Sequence, residues 1–437
     1  MEENKEDKNF LENKSLPENL ELLSISDCYL IDLECIREMF ISISPILKKQ
    51  EKERKKLVDK QLNKLSKKTE GSEIKVELLS SEIEYLVANI RKMNRAEKLF
   101  KQQLTVSLIS LFDEFLSSLL KIILRLHPEW LNSSEKTLTY KDLVNLGSIH
   151  KAITGLLDKE VDELMRKSHE EQIQFVDKKL KLGIQNSFSR LHDFLELTER
   201  RNLFVHTGGK VTKQYLEKCK TWNINVNEEI NNNSILNINT EYFNNAFSLC
   251  FEIGLRIANA AYRRIFPLKL EAVDKSINNL AIKFLNSGDY DLAEIVCEFY
   301  LGIPEKLRST DNELIYFVKI NRALAQKFNK KEFRNGLLKE NWNAFHPKYQ
   351  LALAVLNDKF EEAGNLMKKE AIQDSIGKLG FRIWPLFKDF RATEIFQKVY
   401  KDLYNETFTP NPNEYLDNEA IAQGILLSEE KLTNHYT

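Results

Sequence analysis

The chain has 437 residues, of which 42% are hydrophobic and 30% charged, and its formal net charge is −1. A near-neutral chain exerts no overall attraction on polyanions, so any nucleic acid must be held by a local patch. Glycine (14 residues) and proline (9 residues) are scarce for a chain of this length. Few turn-forming residues favour few, long elements, and the composition therefore predicts an all-α fold.

The five cysteines are scattered, and none forms a Cys-x-x-Cys pair. Their odd number, together with the lack of a cleavable apolar leader, predicts a cytoplasmic protein with reduced thiols. Cys28 and Cys35 are interpreted as small buried apolar residues of a helix, because two thiols alone make no metal site. No run of 18 apolar residues occurs, so neither a membrane span nor a membrane partner is expected.

Residues 1–76 are predicted to form a polar lead-in followed by a charged helical arm. The lead-in, residues 1–24, is rich in Lys, Glu and Asn and is expected to be loosely ordered. The arm, residues 27–66, has only a thin apolar stripe of Leu57, Leu62 and Leu65 in its charged half. Such a stripe is typical of a solvated or coiled-coil-like helix.

Residues 77–267 are predicted to form a helical domain. A long helix over 77–126 should end at His127-Pro128, because the residue before a proline disfavours the helical conformation. Shorter helices follow, then the helix that carries the motif described below, and a closing helix that ends at Pro267. The Asn-rich segment before the closing helix predicts either a loop or one small hairpin.

Residues 268–408 change to repeated helix pairs. Ala281, Ala293 and Ala363 stand near aromatic residues at a spacing close to that of tetratricopeptide units. Small side chains let antiparallel helices approach closely, so these alanines are predicted to be core contacts. The region resembles tetratricopeptide-like α-solenoids, and we expect it to bind a regulatory protein partner. Residues 409–437 are predicted to be a loose C-terminal tail.

The stretch LTERRNLFVHTGG, residues 197–209, crowds two arginines, an asparagine and a histidine into the end of a predicted helix. At about 100° per residue, Glu199, Asn202 and His206 fall on one face of that helix, with Arg201 about 100° from Asn202. An ordinary helix end explains the same residues, because cations favour the negative end of the helix dipole and glycines commonly terminate helices. Spacing alone leaves both interpretations open.

The polar face continues toward the start of the same helix. Glu196 and His192 extend it by one and two turns, beside an apolar stripe of Phe188, Leu191 and Leu195. A row of polar groups along an apolar seam costs stability unless the groups are paired. The row is therefore a candidate site.

These residues resemble the signature of the HEPN superfamily, all-α proteins marked by an Arg and a His with four to six residues between them. Arg201, Asn202 and His206 match the signature, and Arg200 offers a second arginine at the five-residue spacing. The resemblance extends roughly over residues 80–265. It implies a HEPN-like helical bundle and a metal-independent endoribonuclease without a cofactor. It also implies a homodimer in which the motifs of both subunits face one cleft.

The residue types suit RNA cleavage without a metal. Histidine exchanges protons near neutral pH, and His206 is assigned the acid–base role. Arg201 supplies a fixed cation for the charge that develops on the phosphate. Asn202 is predicted to position a phosphate oxygen or the 2′-OH, and Glu199 to orient His206 or Arg201. Attack by the 2′-OH leaves a 2′,3′-cyclic phosphate, as the resemblance implies.

The sequence thus predicts a cytoplasmic HEPN-type endoribonuclease, the effector of a bacterial antiphage defence or toxin-like system. The alternative is a non-catalytic helical scaffold that uses the HEPN fold for dimerisation or ligand binding. Near-zero net charge favours the scaffold, and the Arg-Asn-His triplet favours the enzyme. No glycine-rich phosphate loop and no clustered metal ligands occur, so neither a nucleotide cofactor nor a metal is predicted. His169-Glu170-Glu171 is interpreted as a solvated surface trio.

Overall fold

The computed structural model describes residue 144 and residues 17–66, 73–131, 147–224, 230–310, 313–332, 346–373 and 376–410. These residues form α-helices, short 3₁₀ turns and connecting loops, and they contain no strand, which confirms the predicted all-α class. One isolated antiparallel bridge joins Lys210 to Ile235, and residues 225–229 of the Asn-rich segment lie outside the described residues. The chain divides into two compact units, Met1–Pro267 and Leu268–Thr437.

The first unit contains the long helices and the motif. Its helices are α1 (Glu18–Ser66), α2 (Glu73–Leu126), α3 (Ile149–Met165), α4 (His169–Leu180), α5 (Ile184–Ser187), α6 (Leu191–Thr207), α7 (Lys213–Thr221) and α8 (Thr240–Ile265). As predicted, α2 stops just before His127-Pro128, and a 3₁₀ turn follows. A search of the described helices for a membrane span finds none with the required length and apolar character.

The N-terminal part of α1 belongs to the core of the first unit. The helix begins at Glu18 and Leu22 is almost completely buried, so residues 18–24, predicted to belong to a loose lead-in, are helical, and residues 1–16 lie outside the described residues. Tyr29 is also buried, and its hydroxyl donates to the Cys250 carbonyl of α8 at 2.7 Å. A β-carbon at Gly254 would collide with the Tyr29 ring, so glycine is required where α1 crosses α8. The arm and the helical domain that follows it therefore share one core.

Cys28 and Cys35 are exposed, so their interpretation as buried residues was wrong. The spacing of seven residues does place them on one helix face. The face that α1 buries is a different one, marked by Leu33 and Phe40. Periodicity alone could not tell which of two apolar faces of α1 meets the core.

Aromatic contacts fix the motif helix α6 against α2. Phe112 of α2 meets Phe194 of α6 edge to face, with 4.8 Å between the ring centroids. On the other side of Phe112, Tyr29 stacks on Phe115 with centroids 4.5 Å apart. Such pairs contribute about 0.5–1.5 kcal/mol each beyond the area that they bury. α8 packs against α1, α2 and α6 and completes the core.

The second unit consists of shorter helices. They are α9 (Leu270–Ser287), α10 (Tyr290–Gly302), α11 (Leu314–Phe328), α12 (Pro347–Leu356), α13 (Phe360–Gln373), α14 (Gly377–Ile383), α15 (Lys388–Arg391) and α16 (Glu394–Tyr404). Neighbours in sequence pack together, as α9 does with α10 and α12 with α13. Ala281, Ala293 and Ala363 are buried, which confirms the prediction that they are core residues. The resemblance to tetratricopeptide repeats stays a prediction, and the predicted tail lies outside the described residues from residue 411 onward.

Replacing Ala293 of α10 by leucine is expected to destabilise the second unit by about 1–3 kcal/mol, because the extra atoms must displace side chains of the helices packed against α10. Ala293 is completely buried, whereas Ala392 in the same unit is exposed, so Ala392→Leu is the matched control. Chemical denaturation of the full chain measures the loss as a lower midpoint for the transition of this unit. An Ala293→Leu protein as stable as the control would contradict the packing described.

Candidate functional site

The motif helix α6 ends where two glycines adopt left-handed backbone angles. Gly208 has φ +64° and Gly209 has φ +88°, which favour glycine at both positions. A β-carbon at Gly209 would also lie 3.0 Å from the Gln102 side chain and 3.1 Å from the Phe204 ring. The two glycines therefore set the helix end and place His206 in its last turn.

A buried carboxylate, Glu196, joins α6 to the helices on either side. Its Oε1 accepts hydrogen bonds from Arg200 Nε at 2.8 Å and from the Tyr215 hydroxyl of α7. Its Oε2 accepts a hydrogen bond from the Tyr242 hydroxyl at 3.1 Å, on α8. The Arg200 guanidinium lies over the Tyr242 ring, 4.0 Å from the centroid. These partners supply the pairing that a buried charge requires.

The charges of this network give Arg200 a structural role. Burial and the charge of Glu196 raise the pKa values of Tyr215 and Tyr242 well above the ordinary tyrosine value, so both hydroxyls donate at neutral pH. Burial opposes the charged form of Arg200, but Tyr242, Glu196 and Tyr215 together raise the pKa of Arg200. Although the spacing of Arg200 also fits the motif, its guanidinium is occupied. Arg201 is therefore the arginine available to a site.

Arg201 extends from α6 toward α2. Its Nη2 lies 3.5 Å from Oδ2 of Asp113, and its Nη1 donates to Oδ1 of the adjacent Asn202 at 3.2 Å. Its Nε is buried without a hydrogen-bond partner within the described residues. The Arg201 side chain is 24% exposed, against 14% for Arg200, so it is the more accessible of the two.

Asp113 also binds His169, a contact that the sequence did not predict. His169 Nε2 lies 2.8 Å from Asp113 Oδ1, and the His169 side chain is only 11% exposed. Its ring lies beside the Phe112–Phe194 pair, with centroids 6.4 and 6.5 Å away. The interpretation of His169 as a solvated surface residue was therefore wrong. One carboxylate holds a histidine with one oxygen and an arginine with the other.

A capping box determines the position of His169. The Glu171 amide donates to Ser168 Oγ at 3.3 Å, and the Ser168 amide donates to Glu171 Oε2 at 3.0 Å. His169 is thereby the first residue of α4. The Ser-x-x-Glu pattern could have predicted this helix start. No pattern in the sequence pairs His169 with Asp113, which lies 56 residues earlier.

The remaining predicted site residues are separated. His206 is exposed, and the described residues provide no hydrogen-bond partner for its ring. Glu199 pairs with Lys218 of α7 at 2.6 Å, so no contact supports its predicted role in orienting Arg201 or His206. The structure thus gives Arg201 and Asn202 a direct hydrogen bond, whereas no hydrogen bond joins the His206 ring to either of them.

An open cleft of about 490 Å³ borders Asp113. Three acidic side chains, one basic side chain, a serine and a methionine line it: Asp113, Glu114, Asp162, Arg166, Ser117 and Met165. This lining is acidic, so an anionic ligand would need cations from outside the cleft. Arg201 does not line the cleft itself, but it contacts Asp113, which does.

Comparisons with protein-family models, with curated proteins and with solved structures give no match to this chain. Within the described residues, no group of three or more His, Cys, Asp or Glu is placed to hold a metal ion. The resemblance of the motif residues to the HEPN superfamily therefore stays a prediction.

Glu196→Ala is expected to destabilise the protein by about 3–5 kcal/mol, because it leaves Arg200 as a buried cation without its carboxylate. Glu199→Ala is the matched control on the same helix. The ion pair of Glu199 with Lys218 is partly exposed and contributes only about 0–1 kcal/mol. Urea denaturation of both variants measures the difference, and equal losses would contradict the separate roles of the two glutamates.

Proposed function

We propose that the chain is a metal-independent endoribonuclease of HEPN type that acts as a homodimer on RNA and needs no cofactor. One observation carries the proposal, namely that the two adjacent arginines have different environments. Arg200 is built into the fold, whereas Arg201 stays accessible beside an amide and a cleft. A guanidinium, an amide and an imidazole on one helix are the groups that RNA cleavage without a metal requires.

The proposed reaction is an in-line attack of a 2′-OH on the adjacent phosphorus. A bond forms between phosphorus and the 2′ oxygen, and the bond to the 5′ oxygen breaks. The products are a 2′,3′-cyclic phosphate and a 5′-OH. One group must take the 2′ proton and another must give a proton to the 5′ oxygen, and histidine can do either near neutral pH. We assign these steps to His206, the phosphorane charge to Arg201, and the placement of a phosphate oxygen to Asn202.

Helix geometry supports the need for a second copy. Five residues along a helix correspond to a rotation of about 140° and a rise of about 7.5 Å, so Arg201 and His206 leave α6 in different directions. Arg201 contacts α2, and His206 is exposed at the helix end. A two-fold axis gives one cleft two arginines and two histidines, enough for both proton transfers.

Asp113 and His169 act in this proposal as positioning residues. Asp113 restricts the guanidinium of Arg201, and His169 restricts the Asp113 carboxylate through its other oxygen. A cation that is already held in place needs little reorganisation when charge develops on the phosphate. Glu199 is bound to Lys218, and its role in orienting Arg201 or His206 stays a prediction.

The acidity of the cleft favours a second candidate function. Three acids and one base line the cleft, and Asp113 already balances the charge of Arg201. Such a surface repels a polyanion unless a partner adds positive charge. A non-catalytic helical scaffold, which uses the bundle for dimerisation or for binding a non-anionic ligand, fits this feature. Cleavage assays distinguish the two functions.

We further propose that the second unit binds a regulatory protein and that the whole chain is a cytoplasmic effector of a bacterial antiphage defence or toxin-like system. The support is that the chain divides into two compact units. Residues 268–437 form their own compact unit of packed helices, and the motif lies wholly in the first unit. A unit of this kind can control the motif without contributing to the chemistry.

Arg201→Ala and His206→Ala are each expected to abolish RNA cleavage in the presence of EDTA, because the two groups act in one reaction step. The double variant should be little worse than either single variant. His192→Ala is the matched control, since His192 is an exposed histidine on the same helix, and it should keep full activity. Gel analysis of a labelled RNA gives the rates. A folded single variant with wild-type activity would show the catalytic assignment to be wrong.

Asp113→Asn is expected to lower kcat roughly tenfold to a hundredfold with little change in KM, because Arg201 loses its positioning charge. Glu114→Gln removes an acid from the same cleft and serves as the control. It should leave kcat unchanged and lower KM through reduced repulsion of RNA. Faster cleavage by Asp113→Asn would instead mean that Asp113 masks Arg201, and the positioning role would be wrong.

A further inference from the structure

The outward face of α1 carries a row of apolar side chains, interrupted by the exposed Ser42. Five residues at helical spacing form it, and we call them the α1 stripe: Cys28, Ile31, Cys35, Met39 and Ile46. Ile31, Met39 and Ile46 are 52%, 45% and 54% exposed, and both cysteines are exposed. At about 100° per residue, the five side chains lie within a sector of about 80°. An exposed apolar sector of this kind marks an interaction surface.

The α1 stripe is a second apolar face and does not extend the core. The buried side of α1, with Leu22, Leu33 and Phe40, lies roughly on the opposite side of the helix axis. Exposed apolar side chains are also concentrated on this helix. Of the fourteen large hydrophobic residues that are exposed in the described chain, five lie on α1: Ile31, Met39, Ile41, Ile46 and Leu57. A helix that is apolar on two opposite faces needs a partner on each.

We propose that the α1 stripe packs against the α1 stripe of a second copy of the chain, with the two helices antiparallel. The charge distribution along α1 selects this partner and this direction. Residues 18–27 carry three acidic side chains and no basic one, whereas residues 47–56 carry six basic and two acidic ones. The two segments thus have net charges of −3 and +4. An antiparallel pair sets the acidic segment of each copy beside the basic segment of the other, and a parallel pair would set like charges together.

The spacing of the α1 stripe fits a two-fold axis that crosses the helix pair at the level of residue 37. In such a pair, a residue that lies n positions before residue 37 in one copy faces the residue n positions after it in the other copy. Cys35 then faces Met39 of the second copy, and Cys28 faces Ile46. The same stripe serves both copies, as a two-fold contact requires. Helices in contact are about 8–10 Å apart, which brings facing side chains on the inner surfaces into contact.

This inference concerns assembly alone and does not rest on the proposed nuclease activity. Arg201 and His206 lie on α6, and no residue of the α1 stripe belongs to the site around them. The two-fold axis of the α1 contact is proposed to be the axis of the same homodimer, so one dimer is expected. The experiments below measure association rather than cleavage, so the two proposals can fail separately.

Sedimentation equilibrium of the full chain tests the inferred surface. We expect a dimer for the wild type and at least a tenfold higher dimer dissociation constant for Met39→Glu, because a charge would be buried in the centre of the contact. Leu379→Glu is the matched control, since Leu379 is an apolar side chain of the second unit with the same 45% exposure as Met39. Far-UV circular dichroism checks that each variant is folded. A monomeric wild type at tens of micromolar, or a Met39→Glu dimer as tight as the control, would overturn the inference.

Disulfide trapping tests the antiparallel register independently. Under mild oxidation, Met39→Cys should form covalent dimers through Cys35 of the second copy, because these two positions face each other. The same variant with Cys35→Ala should lose most of that product. A yield unaffected by Cys35→Ala would overturn the register, and no covalent dimer from Met39→Cys would overturn the antiparallel contact.

Discussion

The site depends on one buried interaction, the carboxylate of Glu196 shared by Arg200, Tyr215 and Tyr242. It ties the motif helix α6 to α7 and α8 and occupies the first of two adjacent arginines. Arg200 is held inside, and the neighbouring Arg201, about 100° around the helix, contacts Asp113 of α2. The buried Glu196 carboxylate thus holds Arg200 in the fold, and Arg201 is the more accessible arginine.

The site is assembled from helices that are distant in sequence. α2 supplies Asp113, α4 supplies His169, and α6 supplies Arg201, so one carboxylate connects three elements. The rings of Phe112 and Phe194 lie beside His169, whose side chain is largely buried. Because Arg201 is already paired with Asp113 beside an acidic cleft, binding of an anionic ligand would need additional positive charge from a second subunit.

The sequence predicted the features that are determined by residues close to one another along the chain. The all-α class, the glycine end of α6 and the buried alanines of the second unit follow from composition, turn chemistry and spacing. His169 and Asp113 were missed as partners because only the tertiary fold brings residues so far apart in sequence into contact. Cys28 was misassigned because α1 has two apolar faces, and periodicity does not say which one meets the core. Arg200 and Arg201 were indistinguishable by spacing, and only the burial of Glu196 separates them.

The most direct test of the proposed nuclease concerns the bond that is formed in the reaction. We expect the purified protein, in EDTA, to cleave an RNA to products with 2′,3′-cyclic phosphate and 5′-OH ends. Replacing the single ribose before the scissile phosphate by 2′-deoxyribose should stop cleavage at that position and leave other positions unchanged. Cleavage that continues at the 2′-deoxy position, or that yields 5′-phosphate ends, would contradict attack by the 2′-OH. Absence of any cleavage by the dimeric protein would favour the scaffold.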